Sequence, residues 1–329
     1  MMAAPRCIMK LYVPGMFLVT LLACPVSIDA KSPNHPQDGL TEAEHWTIRA
    51  VLKASGLLTT ETELVRIMLR EPPKKDVLKW KRGTSFTREA DVVARILGKT
   101  LEAVVDITKK KLTRWNVVPG VHAAALWDEA LPPLVEIVKK HPQWRAALKR
   151  RGIVDQSTLV IGPISQAFTD IPQGSTRRLI KMNAFDRSGV ANFFGRPIQG
   201  LIAVVDMDRK QVLRVIDTGV VPIPRGPVDY DQGSVGKLQK RPAPLRTTQS
   251  RGPGFRIDGH QVSWQNWRFH FRIDPRTGLV VSQVKYVDDG KPRSILYQGH
   301  LSELFVPYMD PSMDWRDRAY LDLAENPGG

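Results

Sequence analysis

Cysteine is nearly absent from this chain. Two occur in 329 residues, Cys7 and Cys24, both near the N-terminus. If the leader that holds them is removed, no disulfide is left to support the fold, which must rest on core burial. Long apolar runs are missing as well. The run Met16 to Ala23 is far shorter than the roughly 20 residues that cross a bilayer, so no transmembrane span is expected. Acidic residues are outnumbered: 48 Lys and Arg against 33 Asp and Glu give a formal charge of +15. No helix-turn-helix, zinc-knuckle or RNP-type pattern accompanies that charge. It therefore reads as a solvated basic surface, and no nucleic-acid partner is expected. The histidines lack ligand spacing. His35, His45, His122, His141, His260, His270 and His300 stand singly, none paired at i,i+2 or i,i+4, so no metal site is expected within the chain.

The first 30 residues read as a secretory signal peptide. Arg6 and Lys10 precede the apolar run, and Ala30 supplies a small residue at a cleavage point. Leu21-Leu22-Ala23-Cys24 has the form of a lipoprotein box, although Pro25 directly after the cysteine argues against lipid attachment. An exported protein, periplasmic or extracellular, is expected.

Hydrophobic content of 42% with 25% charged residues is that of a folded chain with room for two or three domains. Lys31 to Gly39 reads as a short polar linker. Thr41 and Glu44 have capping-box spacing, and Ala43, Trp46, Ala50, Val51 and Ala54 form the apolar face of a helix that Gly56 stops. Strands are expected at Leu64 to Leu69, Val77 to Trp80, Asp91 to Leu97 and Leu101 to Ile107. Residues 36–125 thus make a small unit with one helix over a four-stranded antiparallel sheet. Residues 126–221 repeat the order. Helical segments at Asp128 to Lys140 and Gln143 to Arg151 are broken by His141-Pro142. Strands follow at Ser157 to Ile161, Arg177 to Phe185, Leu201 to Asp206 and Gln211 to Asp217. Residues 222–251, rich in Pro, Gly, Lys, Arg and Gln, read as a connector.

Residues 252–329 carry the strongest pattern. In Trp267 to Ile273 apolar and charged residues alternate, as in a half-buried strand, and this places His270 on the face away from Phe269 and Phe271, toward solvent. Asp274-Pro275-Arg276-Thr277-Gly278 and Asp288-Asp289-Gly290 are turns, and Leu279 to Val287 and Ile295 to Tyr297 continue an antiparallel meander.

Gly254-x-x-Ile257-x-Gly259, Val262-x-Trp264-x-x-Trp267-x-Phe269, Arg276-x-Gly278-Leu279, Tyr286, Ile295-Leu296-Tyr297 and Leu304-x-Val306-Pro307-Tyr308-x-Asp310-Pro311 resemble the opening of the catalytic domain of copper-containing amine oxidases. Gly195-Arg196-Pro197-Ile198-x-Gly200-Leu201, running into Val204-Val205-Asp206, resembles that family's second small domain. The resemblance implies an α+β chain in which two cystatin-like domains precede the start of a large β-sandwich. It implies oxidation of primary amines by oxygen to aldehydes, with copper and topaquinone as cofactors, in a homodimer. It also implies roles for three residues. Asp322, in Tyr320-Leu321-Asp322-Leu323-Ala324-Glu325, matches the proton acceptor. Tyr308 matches the tyrosine that hydrogen-bonds the quinone, and Tyr320 the aromatic gate of the substrate channel. A carboxylate beside apolar walls has the raised proton affinity that such a base needs.

Two departures stand against activity of this chain by itself. Ala324, Asn326 and Pro327 replace a glycine-rich run, and alanine and proline cannot take the φ > 0 conformations glycine permits. The family's quinone tyrosine and copper histidines have no counterpart before Gly329, so an incomplete N-terminal part is expected. The alternative reading is a non-enzymatic exported module that binds anionic ligands through its basic surface, which predicts salt-sensitive binding.

Overall fold

Thr41 starts the first regular element. Its hydroxyl accepts from the backbone of Glu44, and the Glu44 carboxylate accepts in return from the Thr41 backbone at 2.8 Å, closing the capping box on α1 (Glu42–Ala54). The computed structural model describes residues 33–122, 127–164, 177–237, 239, 240, 242–301 and 311, with 127–131 described by backbone alone. The expected signal peptide and lipoprotein box lie outside the described residues.

The elements alternate between few helices and three antiparallel meanders. The first sheet runs β1 (Thr62–Arg70), β2 (Glu89–Ile96), β3 (Lys99–Asp106) and β4 (Lys111–Val118) in sequence order, with α2 (Lys74–Lys79) between β1 and β2. Helices α3 (Trp127–Lys140) and α4 (Pro142–Arg150) precede the second sheet, β5 (Leu159–Ile164), β6 (Leu179–Asp186), β7 (Leu201–Asp206) and β8 (Gln211–Asp217). After the short helix α5 (Gln232–Val235) comes the third sheet. It contains β9 (Phe255–Asp258), β10 (Gln261–Trp264), β11 (Trp267–Asp274), β12 (Gly278–Asp288) and β13 (Lys291–His300). The architecture is α+β, as the sequence indicated.

Each small unit has its own core. In the first, Ile48, Val51 and Leu52 of α1 meet Ala90, Val92, Ala103, Val105 and Ile107 of the sheet. In the second, Val138, Trp144, Ala147 and Leu148 of the helices meet Met182, Leu201, Ala203 and Val205. Burying a side chain of this size contributes roughly 1.5–3 kcal/mol, so the two cores stabilise their units independently of any disulfide.

A repeat underlies the pair. Val104-Val105-Asp106 and Val204-Val205-Asp206 both end a strand, and both strands shift register against the next strand between the two valines. Asp106 then accepts from the Lys109 backbone at 2.8 Å, and Asp206 from that of Arg209 at 3.0 Å. Lys110 and Lys210 close the turns at the same φ of 51°. One turn design, an aspartate pinning a loop that ends in a left-handed residue, is used twice. Gly200 is needed for a different reason. Its φ is +70°, and a Cβ there would sit 2.6 Å from the Thr218 hydroxyl.

Three expectations need correction. Val77 to Trp80 is not a strand. Pro73, with its fixed φ, starts α2, and Val77 is buried as a helical residue. The strand that completes the sheet is β4. The face of α1 is also rotated from the expected one. Ile48, Val51 and Leu52 are buried while Trp46 is 62% exposed, its indole N–H donating to Glu42 at 3.3 Å. The third correction concerns residues 35–38, which are no exposed linker: His35, Pro36, Gln37 and Asp38 are all buried.

Arg88 is what makes that burial tolerable. Its guanidinium grips both carboxylate oxygens of Glu44, at 2.8 and 2.9 Å. The remaining hydrogens go to the carbonyls of Pro36, Asp38 and Gly39 at 3.2, 2.8 and 3.0 Å. The fork of one arginine thus anchors α1, β2 and the entering chain together. Replacing Arg88 with Leu strands the buried Glu44 charge and three carbonyls. Urea unfolding of that variant is expected to show a loss of about 3–5 kcal/mol; a loss under about 1 kcal/mol would contradict this role.

Candidate functional site

Tyr308, Tyr320 and Asp322 lie outside the described residues, which continue through β13 to Leu301. The polar cluster that the structure does bring together joins the first small unit to the third sheet, and its centre is Asp38.

Arg88 fixes the carbonyls on either side of Asp38, so the carboxylate is held in place by backbone as well as by its own contacts. One oxygen, Oδ2, accepts from the backbone N–H groups of Asn34 at 2.7 Å and His35 at 2.9 Å. The other, Oδ1, meets His260 Nδ1 and His270 Nε2, each at 2.8 Å. His260 lies in the two-residue β9–β10 turn, whereas His270 sits in the middle of β11. Residues more than two hundred positions apart are thereby tied by one carboxylate.

His270 is not exposed, contrary to the expectation from its strand pattern. The alternation holds, but His270 and Arg272 point toward the first small unit and are 2% and 5% exposed, as is Ser282 of β12 at 0%. Ile273 and Leu279, by contrast, are more than half exposed. His270 and Arg272 face protein because carboxylates wait there. Arg272 pairs with Glu71, which also accepts from Gln298 of β13 at 2.7 Å. At the β9 edge Arg82 donates to Asp258 at 2.7 Å, and at the opposite, β13 edge the Lys74 ammonium lies 4.8 Å from the ring centre of Tyr297.

His35, Asp38 and His270 offer ligand atoms within 4.8 Å of one another, a spacing that invites a metal. The hydrogen bonds argue otherwise. His35 Nδ1 accepts the Gln37 backbone N–H at 3.1 Å, so the proton of the neutral ring is on Nε2, where a ligand would need its lone pair. The Gln283 side-chain nitrogen lies 2.8 Å from that Nε2 and donates to Gln37 Oε1 at 3.1 Å. His260 and His270 both present an N–H to Asp38. The imidazole nitrogens that face Asp38 carry protons in this arrangement and cannot also bind copper, which needs a free nitrogen lone pair. Sequence reasoning missed the cluster because its members are far apart in the chain. The His35-Pro36-x-Asp38 run ahead of a capping box was the one local signal.

The electrostatics follow from burial and pairing. Burial would push the Asp38 carboxyl up, but the hydrogen bonds from His260 and His270 more than offset it and hold it well below the usual carboxylate range. Burial, then the facing His270, drops His35 from 6.5 to about 4, the nearby Asp38 only partly opposing. The bond to Asp38 raises His260 against the smaller effect of its own burial. The two histidines therefore act in opposite directions. His35 contributes stability that is complete above pH 6.5 and is lost as pH falls toward 4, on the order of 3 kcal/mol. His260 contributes stability that is complete below 6.5 and is lost as pH rises through its raised value. A variant His260→Gln is expected to lose stability relative to the parent below pH 6.5 and to converge with it in mild alkali. Denaturant midpoints measured from pH 5 to 9 read this directly; a gap that widens with rising pH would contradict it.

Comparison with known proteins agrees with the layout. Residues 35–118 match the copper amine oxidase N2 domain, 130–233 the N3 domain, and 256–329 the enzyme domain of copper amine oxidase. A primary amine oxidase of Klebsiella aerogenes is 34% identical over 298 residues, covering 88% of this chain and 39% of that protein. The copper-containing amine oxidase gamma 1 of Arabidopsis thaliana is 35% identical over 306 residues, covering 90% and 42%. The chain thus spans under half the length of the curated relatives it matches. The crystal structure of a copper-containing benzylamine oxidase from Hansenula polymorpha shares the fold at a TM-score of 0.70 and 22% identity, covering 88% of this chain and 48% of that one. With three family domains matched in order along one α+β chain, the protein belongs to the copper amine oxidase family.

Proposed function

We propose that the protein built from these domains is a primary-amine oxidase, which takes a primary amine and oxygen to an aldehyde, ammonia and hydrogen peroxide. The observation that supports this most is the ordered run of N2, N3 and enzyme domains across residues 35–329. Copper and topaquinone are the cofactors of this reading and supply its two-electron oxidation. The described residues form no copper ligand set, so the reading concerns the protein as a whole and not catalysis by this chain alone. Export by way of residues 1–30, and dimerisation through the large domain, belong to the same proposal.

Within it, Asp322 takes a proton from the substrate, Tyr308 holds the quinone by a hydrogen bond, and Tyr320 gates the channel. The third sheet is the platform from which the chain runs to all three. Its docking on the first small unit through Asp38 and Glu71 holds that platform in one orientation, the rigid support that a positioned base requires.

Amine-dependent peroxide release by the protein from its native source tests the reading, with Asp322→Asn alongside. The expected outcome is oxidation of a primary amine by the parent and a fall in kcat of at least about 100-fold in the variant. Unchanged turnover in Asp322→Asn would remove the residue from its role. No amine-dependent peroxide from a protein shown to carry copper and quinone would remove the function.

A further inference from the structure

A second cluster of charge, with two buried arginines at its centre, lies between the two small units. There Glu63 of β1 and Arg95 of β2 face Arg178, just ahead of β6, and Asp208 in the β7–β8 turn. Arg95 Nη2 reaches Asp208 at 2.5 Å and its Nε reaches Glu63 at 3.5 Å. Arg178 Nη1 stands 3.6 Å from Glu63 and 3.7 Å from Asp208. These residues line a cavity of about 430 Å³, floored by Pro133 and Leu134 and flanked by Arg209 and Lys210.

Three features of the cavity point to an anion. The Arg95 side chain is only 5% exposed, yet its Nη1 has no hydrogen-bond partner. A buried guanidinium nitrogen carries two hydrogens that need acceptors. The lining also has more cations than anions: Arg95, Arg178, Arg209 and Lys210 against Glu61, Glu63 and Asp208. Finally, the turn that brings Arg209 and Lys210 to the cavity is fixed. Asp206 accepts from the backbones of Asp208 and Arg209 at 3.1 and 3.0 Å, and Lys210 takes the left-handed φ of 51°.

We infer that this cavity is a binding site for a small tetrahedral oxyanion, of the phosphate or sulfate class, held by Arg95 Nη1 from within and by Arg209 and Lys210 at the rim. Such an ion offers several acceptors at once, which suits one fixed fork and two mobile cations. It also adds negative charge beside two guanidinium groups that share the carboxylates of Glu63 and Asp208. Burial, and then the neighbouring Arg95, lowers the proton affinity of Arg178 below its ordinary value, and an anion between them relieves both effects. Because β2 and the β7–β8 turn belong to different small units, occupancy stabilises the junction between them. The site stands apart from the amine-oxidase reading and needs neither copper nor quinone.

Thermal unfolding of the full chain tests it, with sodium phosphate exchanged for sodium chloride at constant ionic strength. Phosphate is expected to raise the midpoint saturably, by roughly 5 °C at about 100 times its dissociation constant. Arg95→Gln should abolish the saturable rise. Lys210→Gln, at the rim of an exposed turn and harmless to the core, should weaken binding several-fold, and it keeps the test available if Arg95→Gln does not fold. A rise of the same size in parent and Lys210→Gln, or one that never saturates, would mean an adventitious ion only and would overturn the site.

Discussion

One buried carboxylate sets the relation between the start of this chain and its catalytic-domain sheet. Asp38 accepts four hydrogen bonds, two from the loop that carries it and two from histidines on the third sheet. Its loop in turn is held by Arg88, whose five hydrogens all find acceptors. A buried charge is tolerated only when it is paired and hydrogen-bonded on every side, and here that requirement makes the arrangement specific. Neither His260 nor His270 can move without leaving Asp38 short of a donor. The contact is therefore a register pin more than a source of net stability.

That pin couples one of the small units to the third sheet. The first of them packs its own apolar core and then presents carboxylates, Asp38 and Glu71, to one face of the third sheet. Ionic and hydrogen-bonded contacts specify one orientation where an apolar contact would allow sliding. The residues proposed for catalysis follow that sheet in the chain. The second small unit repeats the first down to its aspartate-pinned turn, and it contributes Asp208, Arg209 and Lys210 to the cavity between them.

Much of this was legible in the sequence, and the exceptions share a cause. The capping box at Thr41 and Glu44, the break at His141-Pro142 and the meander from Trp267 are local signals, and each was found where local chemistry put it. Trp267 to Ile273 could be read as a strand but not oriented. Aromatic residues normally face inward, and only partners in the first small unit make His270 and Arg272 the inward ones. The same partners bury residues 35–38, which look like linker when Arg88 is not known to be adjacent. Val77 to Trp80 failed for another reason: four residues, three of them apolar, do not distinguish strand from helix, and Pro72-Pro73 was the punctuation to heed. The catalytic assignments at Tyr308, Tyr320 and Asp322 rest on sequence likeness, whereas the Asp38 and Arg95 clusters are visible only once the fold is built.

Hydrogen exchange on Asp38→Asn tests the central claim most directly. The asparagine oxygen can still accept from the backbones of Asn34 and His35, but its NH2 group then faces two ring N–H donors. The account predicts that amide protection in β11 and the β9–β10 hairpin falls while protection in β3 and β7 is unchanged. Unchanged protection in β11, or an equal loss in all three sheets, would show that Asp38 does not govern how the third sheet is held.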